Sequence, residues 1–134
     1  MTNEPNKLSA TSPVYYKNAD FPEIDCVSNE YAEREYEVKI SIPEFTCVCP
    51  VTGQPDFADF RITYIPGKKL IELKSLKLYI HSYRNVGIHH ESAANKILDD
   101  LVATCNPRSM EVAGDFSIRG GIMTTVTASF GKKI

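Results

Sequence analysis

The sequence has no excess of charge of either sign: 15 Lys plus Arg stand against 17 Asp plus Glu, so no global positive field is available to attract nucleic acid or an anionic membrane surface. Any anion site must be local. Long apolar runs are also missing. The opening Met1-Thr2-Asn3-Glu4-Pro5-Asn6-Lys7 leads into polar sequence without a signal-like apolar stretch, and nowhere do roughly 18 apolar residues stand together. These absences read as a soluble, cytoplasmic protein with no membrane partner and no direct nucleic-acid binding. Cysteine is scarce. Cys26, Cys47, Cys49 and Cys105, in a chain without an export signal, are expected as reduced thiols rather than a disulfide framework. No repeat or low-complexity segment occurs, and 134 residues with 43% hydrophobic content leave room for one domain and one core.

What is there sorts into an arm and a domain. Residues 1–33, rich in Asn, Pro, Ser and Glu with scattered Tyr15, Tyr16 and Phe21, are expected to form an irregular N-terminal arm, with the folded domain over 34–134. From Tyr36 the pattern alternates: Tyr36, Val38, Ile40 and Ile42 against Glu37, Lys39 and Ser41 predict a half-buried strand that Pro43 ends or edges. Phe60, Ile62 and Tyr64 against Asp59, Arg61 and Thr63 predict a second strand, closing at Pro66-Gly67. A short strand over 70–72 precedes a change of period. Leu73, Leu76, Ile80 and Tyr83 recur at helical steps, and a second helix from His90 turns Ala94, Ile97, Leu98 and Leu101 inward and stops before Asn106-Pro107. Residues 109–118 and 122–130 predict two more strands about Arg119-Gly120-Gly121. The expected fold is α+β: a four-stranded antiparallel sheet with two helices on one face, in the order ββααββ. Its open edges favour pairing with copies of itself, so a homo-oligomer is expected, with sites at subunit boundaries.

The candidate chemistry centres on residues 49–56, where Pro50, Gly53 and Pro55 stiffen and reverse the backbone between Cys49 and Asp56. A nucleophilic thiol needs access and a lowered pKa. Cys47 lies two residues earlier on the same side of an extended chain, so by pattern either thiol could be the nucleophile. Cys-x-Cys with His89-His90 also invites zinc, although that cysteine spacing is not one of the usual intervals and the histidines stand far along the chain. Lys74 and Lys77 at a helix start, with Arg119 on a loop with Gly120 and Gly121, suit a phosphorylated cofactor. Glu91, at the opening of the second helix, could accept two N–H donors from a guanine-like edge.

Glu72-Leu73-Lys74-Ser75-Leu76-Lys77-Leu78-Tyr79 fits at every position the signature of the QueF family of nitrile reductases, and the chain resembles its short, single-domain form. Phe45-Thr46, Cys49-Pro50, residues 52–57, His90-Glu91 and Arg119-Gly120-Gly121 also stand where that family has them. The resemblance covers most of residues 35–131. It implies the tunnelling fold shared with GTP cyclohydrolase I and NADPH-dependent reduction of 7-cyano-7-deazaguanine (preQ0) to its aminomethyl product, preQ1, in queuosine biosynthesis. It further implies that Cys49 rather than Cys47 forms a covalent thioimide with the nitrile, and that Asp56 donates the proton. By the same carry-over, Ile71, Glu72, Leu73, His90 and Glu91 hold the deazaguanine, while Leu73, Lys74, Lys77, Arg119 and Gly120 contact NADPH. No metal is expected, and the homo-oligomer is expected to be pentamer-based, a decamer. His89 departs from the aromatic residue expected there, and Cys47 is an extra thiol. A zinc-dependent, cyclohydrolase-like enzyme of the same fold is the alternative.

Overall fold

The computed structural model describes residues 13–132. Two long strands lie at its centre. Val38–Val48 (β3) and Pro55–Ile65 (β4) pair antiparallel, with Val38 opposite Tyr64 and Val48 opposite Pro55. In β4 the period of two holds as far as Tyr64: Asp56, Ala58, Phe60, Ile62 and Tyr64 are buried, while Phe57, Asp59 and Arg61 face out. In β3 it breaks once. The register shifts between Ile42 and Phe45, where Pro43 has no N–H to offer the ladder. This bulge changes the parity of the strand, so that Phe45 and Cys47 continue the inward face begun by Val38, Ile40 and Ile42. Without it Cys47 would face away from the core.

Two more strands extend the sheet on one side. Ser109–Arg119 (β7) pairs with β4, Phe116 opposite Ala58, and Ile122–Gly131 (β8) pairs with β7 through the Gly120-Gly121 reversal. These four antiparallel strands match the expected sheet. It is nevertheless larger and mixed, six strands in the order β1-β6-β3-β4-β7-β8, because Val14–Tyr15 (β1) and Val86–Gly87 (β6) add parallel pairs beyond β3. Two-residue strands carry no readable alternation, so composition did not mark them. Cys26–Ser28 (β2) and Lys69–Ile71 (β5) form a separate antiparallel pair. Residues expected as an irregular arm therefore supply two strands where they are described, and residues 1–12 of that arm lie outside the described ones.

Leu73–His81 (α1) and His90–Cys105 (α2) cover the buried face, α2 against β7 and β8, and α1 with the turn after it against β3. One residue of the expected α1 stripe fails: Leu76, Ile80 and Tyr83 are buried, but Leu73 is 60% exposed. It sits in the first turn, ahead of the point where the helix meets the sheet. Tyr83 reaches the core from a 3-10 turn, Ser82–Asn85, rather than from α1 itself. α2 ends where Asn106 takes a left-handed conformation at φ 48°. Between sheet and helices lies a cluster of rings, Phe45, Phe60, Phe116, Tyr79 and Tyr83, with edge-to-face contacts such as Phe45 to Phe60 at 4.6 Å.

Candidate active site

The turn after β3 is closed by its own backbone. Cys49 N–H donates to the Gln54 carbonyl at 2.8 Å, Gly53 N–H donates to the Cys49 carbonyl at 2.8 Å, and Gln54 N–H donates to Thr52 Oγ1 at 3.2 Å. Gly53 makes the reversal at φ +76°, a conformation that costs a side-chain-bearing residue strain. So wound, the turn brings donors onto the thiol. The Thr52 hydroxyl, the N–H groups of Thr52 and Val51, and the Arg119 guanidinium all favour the Cys49 thiolate and bring its pKa from 9.0 down to about 7. Cys47 goes the other way. It is fully buried, and burial, helped by the charge of Asp56, pushes its thiol up to about 12. Two thiols that pattern could not separate thus differ in pKa, one of the two properties that nucleophilicity requires.

Asp56 stands opposite Cys47 in the ladder and is 5% exposed. Its Oδ1 forms an ion pair with Arg119 Nη1 at 2.9 Å, and His90 Nε2 lies 3.2 Å from Oδ2. The second contact is close but poorly aligned, since His90 Nε2 has no hydrogen-bond partner among the described residues. His90 is held from another direction: its ring stacks on Phe116 with centroids 3.8 Å apart and planes 9° from parallel. The end of β3, the start of β4, the start of α2 and the end of β7 therefore converge on one cluster of Cys49, Asp56, His90 and Arg119.

The other expected residues lie elsewhere. Ile71 is buried, its N–H donating to the Tyr64 hydroxyl at 3.0 Å. Glu72 caps α1: its carboxylate accepts from the N–H groups of Lys74 at 2.9 Å and Ser75 at 2.8 Å, which hold its pKa below the ordinary carboxylate value. Those N–H groups are consequently not free for a phosphate, a correction to the helix-start anion site. Leu73 and Lys77 line a cleft of about 1020 Å³ walled also by Ile42, Phe57, Phe116 and Met123, and neither Cys49 nor Asp56 is among its lining residues. Lys74, Gly120 and Glu91 are exposed, Glu91 in the first turn of α2. Arg119, expected against cofactor, is engaged with Asp56 and Cys49. Among the described residues no three His, Cys, Asp or Glu side chains gather as a metal ligand set. Sequence reasoning gave Thr52 and Phe116 no role, although Thr52 stands in the turn already singled out; Phe116 reads only as one more apolar strand residue.

The model of the QueF-like protein family matches residues 55–134. The NADPH-dependent 7-cyano-7-deazaguanine reductase of Magnetococcus marinus is 54% identical over 110 residues, 82% of this chain and 86% of that protein. The reductase of the same name from Prochlorococcus marinus is 53% identical over 128 residues, 95% of each. Among solved structures, the apo form of the archaeosine synthase QueF-Like superposes with a TM-score of 0.67 at 26% identity, covering 73% of this chain and 96% of that one. With sequence agreement running through the Asp56 to Arg119 half of the site and across nearly the whole length of such relatives, the chain belongs to the QueF-like family.

Proposed function

We propose that this chain is a cytoplasmic NADPH-dependent reductase that converts the nitrile of 7-cyano-7-deazaguanine into the aminomethyl group of 7-aminomethyl-7-deazaguanine, for queuosine in tRNA. The names of its relatives support the reaction. The single observation that carries it to particular residues is the contrast between Cys49, held near pKa 7, and Cys47, held near 12. At neutral pH about half of Cys49 is thiolate.

In this reading the Cys49 sulfur attacks the nitrile carbon, and Asp56 gives a proton to the nitrogen, leaving a thioimide. A carbon–nitrogen double bond attached to sulfur is a better hydride acceptor than a free nitrile. NADPH, when bound, supplies the two hydrides. Between the two reductions the carbon–sulfur bond breaks, and Cys49 leaves as a thiolate, a departure favoured by its low pKa. Arg119, at 2.9 Å from Asp56, keeps that carboxyl aimed at the reacting atoms, and His90 on Phe116 closes the same side.

His90 and Glu91 at the start of α2, with Ile71, Glu72 and Leu73, are the groups for the deazaguanine, Glu91 accepting from its amino edge. For NADPH, Leu73 and Lys77 on the cleft wall, with Lys74, Arg119 and Gly120, supply apolar contact and positive charge. The cleft and the Cys49 cluster have different lining residues within one chain, which supports a site completed by a second copy in a pentamer-based homo-oligomer. β8 supports the same reading. It is a ten-residue strand paired on one edge only among the described residues, and Ile122 and Met123 at its start are each 69% exposed. The test is NADPH consumption with 7-cyano-7-deazaguanine, expected at two cofactors per nitrile. No consumption, together with stoichiometric zinc in the purified protein, would decide for the cyclohydrolase-like alternative.

A further inference from the structure

Two of the four cysteines play no part in this chemistry, and the fold brings them together. Cys26 lies in β2, and its Sγ donates to the carbonyl of Thr104, 78 residues later, at 3.5 Å. The next residue is Cys105, whose thiol donates to the Leu101 carbonyl at 3.1 Å and lies near enough to that of Cys26 for each to influence the other's ionisation. Lys69, in β5 beside β2, is close enough to favour a thiolate at either sulfur. The two thiols are unequal in access: Cys105 is 1% exposed, whereas Cys26 is only half-buried. They also stand apart from the candidate site. α2 carries His90 at its first position and Cys105 at its last, about 22 Å away along the axis.

We infer that Cys26 and Cys105 are a second thiol pair, which a peroxide-class oxidant converts to a disulfide that staples β2 to the end of α2. The sulfur of Cys26 attacks one peroxide oxygen, the O–O bond breaks, and hydroxide leaves to become water on taking a proton, giving a sulfenic acid. The sulfur of Cys105 then attacks that of Cys26, and the hydroxyl departs with the thiol proton as a second water. The two sulfurs supply the two electrons that the peroxide accepts. Burial raises both thiols, Cys105 to about 12, so the pair reacts more slowly than Cys49 and closes under sustained oxidation.

The staple has a structural consequence. Asp25, the residue before Cys26, donates its N–H to Ser75 Oγ at 2.8 Å, and its carbonyl accepts from Glu72 N–H at 2.9 Å. The strand being tied down is thus the one that holds the start of α1, where Glu72 and Lys74 lie. A cross-link over so long a loop removes much freedom from the unfolded chain.

The test exposes the reduced full-length chain to hydrogen peroxide for roughly ten times longer than Cys49 needs to react, a margin for thiols of higher pKa. It is then alkylated with iodoacetamide under denaturing conditions and digested without reductant. A peptide pair joined through Cys26 and Cys105, lighter by two hydrogens than the two separate peptides, is expected, and it disappears in Cys26→Ser. The oxidised wild type should melt roughly 10 °C above the reduced form, a difference absent from Cys26→Ser. Recovery of both Cys26 and Cys105 as alkylated thiols, or of Cys26 joined to Cys47 or Cys49, would overturn the proposal.

Discussion

The difference between Cys47 and Cys49 is set by which atoms each sulfur meets. Cys47 is the second-last residue of β3 and meets the core and a carboxylate; Cys49 is past the strand and meets N–H and O–H donors. Sequence alone put both on one side of an extended chain, which is true of parity and says nothing about donors. What it could mark was the turn, because Pro50, Gly53 and Pro55 are backbone constraints visible in one dimension. It could not mark the Thr52 hydroxyl as a partner of the thiol, since that contact depends on how the turn closes. The thiolate is the reactive form, so alkylation of Cys49 by iodoacetamide should accelerate as pH rises and level off above a midpoint near 7. Replacing Thr52 by Val removes the largest contribution, and the midpoint should move up by about one unit. A wild-type midpoint near 9 would contradict this account of the turn.

At the level of elements, β4 and α2 were legible because each keeps a single period along most of its length. β3 was legible only in its first half. Beyond Pro43 the pattern resumes on the opposite parity, and a reader who continued the alternation from Ile42 would place Phe45 and Cys47 outward. α1 shows the complementary limit: Leu73 fits the helical stripe by spacing, but the first turn projects past the sheet, and no periodicity encodes where a helix begins to be covered. Packing between β4 and β7 gives a sharp test of this arrangement. A Cβ added at Gly114 would lie 2.6 Å from the Phe60 ring, inside the cluster whose Phe116 carries His90. Gly114→Ala should therefore cost about 1–3 kcal/mol in urea unfolding as the ring is displaced, with reduced turnover because the platform under His90 shifts. A cost below about 0.5 kcal/mol, the range of ordinary surface substitutions, would show that the ring has room to move.

For the whole molecule, the four long strands and the two covering helices followed from pattern, and the short strand expected over 70–72 overlaps β5, whereas its partner β2, the two-residue strands and hence the larger, mixed sheet order did not, those strands being too short for any period. Among the described residues the sheet that results has one long unpaired edge, at β8, with Ile122 and Met123 exposed beside the turn that carries Arg119. If copies meet there, Met123→Glu should leave the subunit folded but dissociate the assembly in sedimentation velocity, and NADPH consumption should fall with it; an unchanged assembly would place the contact elsewhere. The central claim is narrower and can be read without cofactor or turnover. It is that Cys49, not its neighbour, bonds to the nitrile. Intact-mass spectrometry of the chain mixed with 7-cyano-7-deazaguanine in the absence of NADPH should show one covalent adduct, kept in Cys47→Ala and lost in Cys49→Ala. An adduct that survives Cys49→Ala would contradict it.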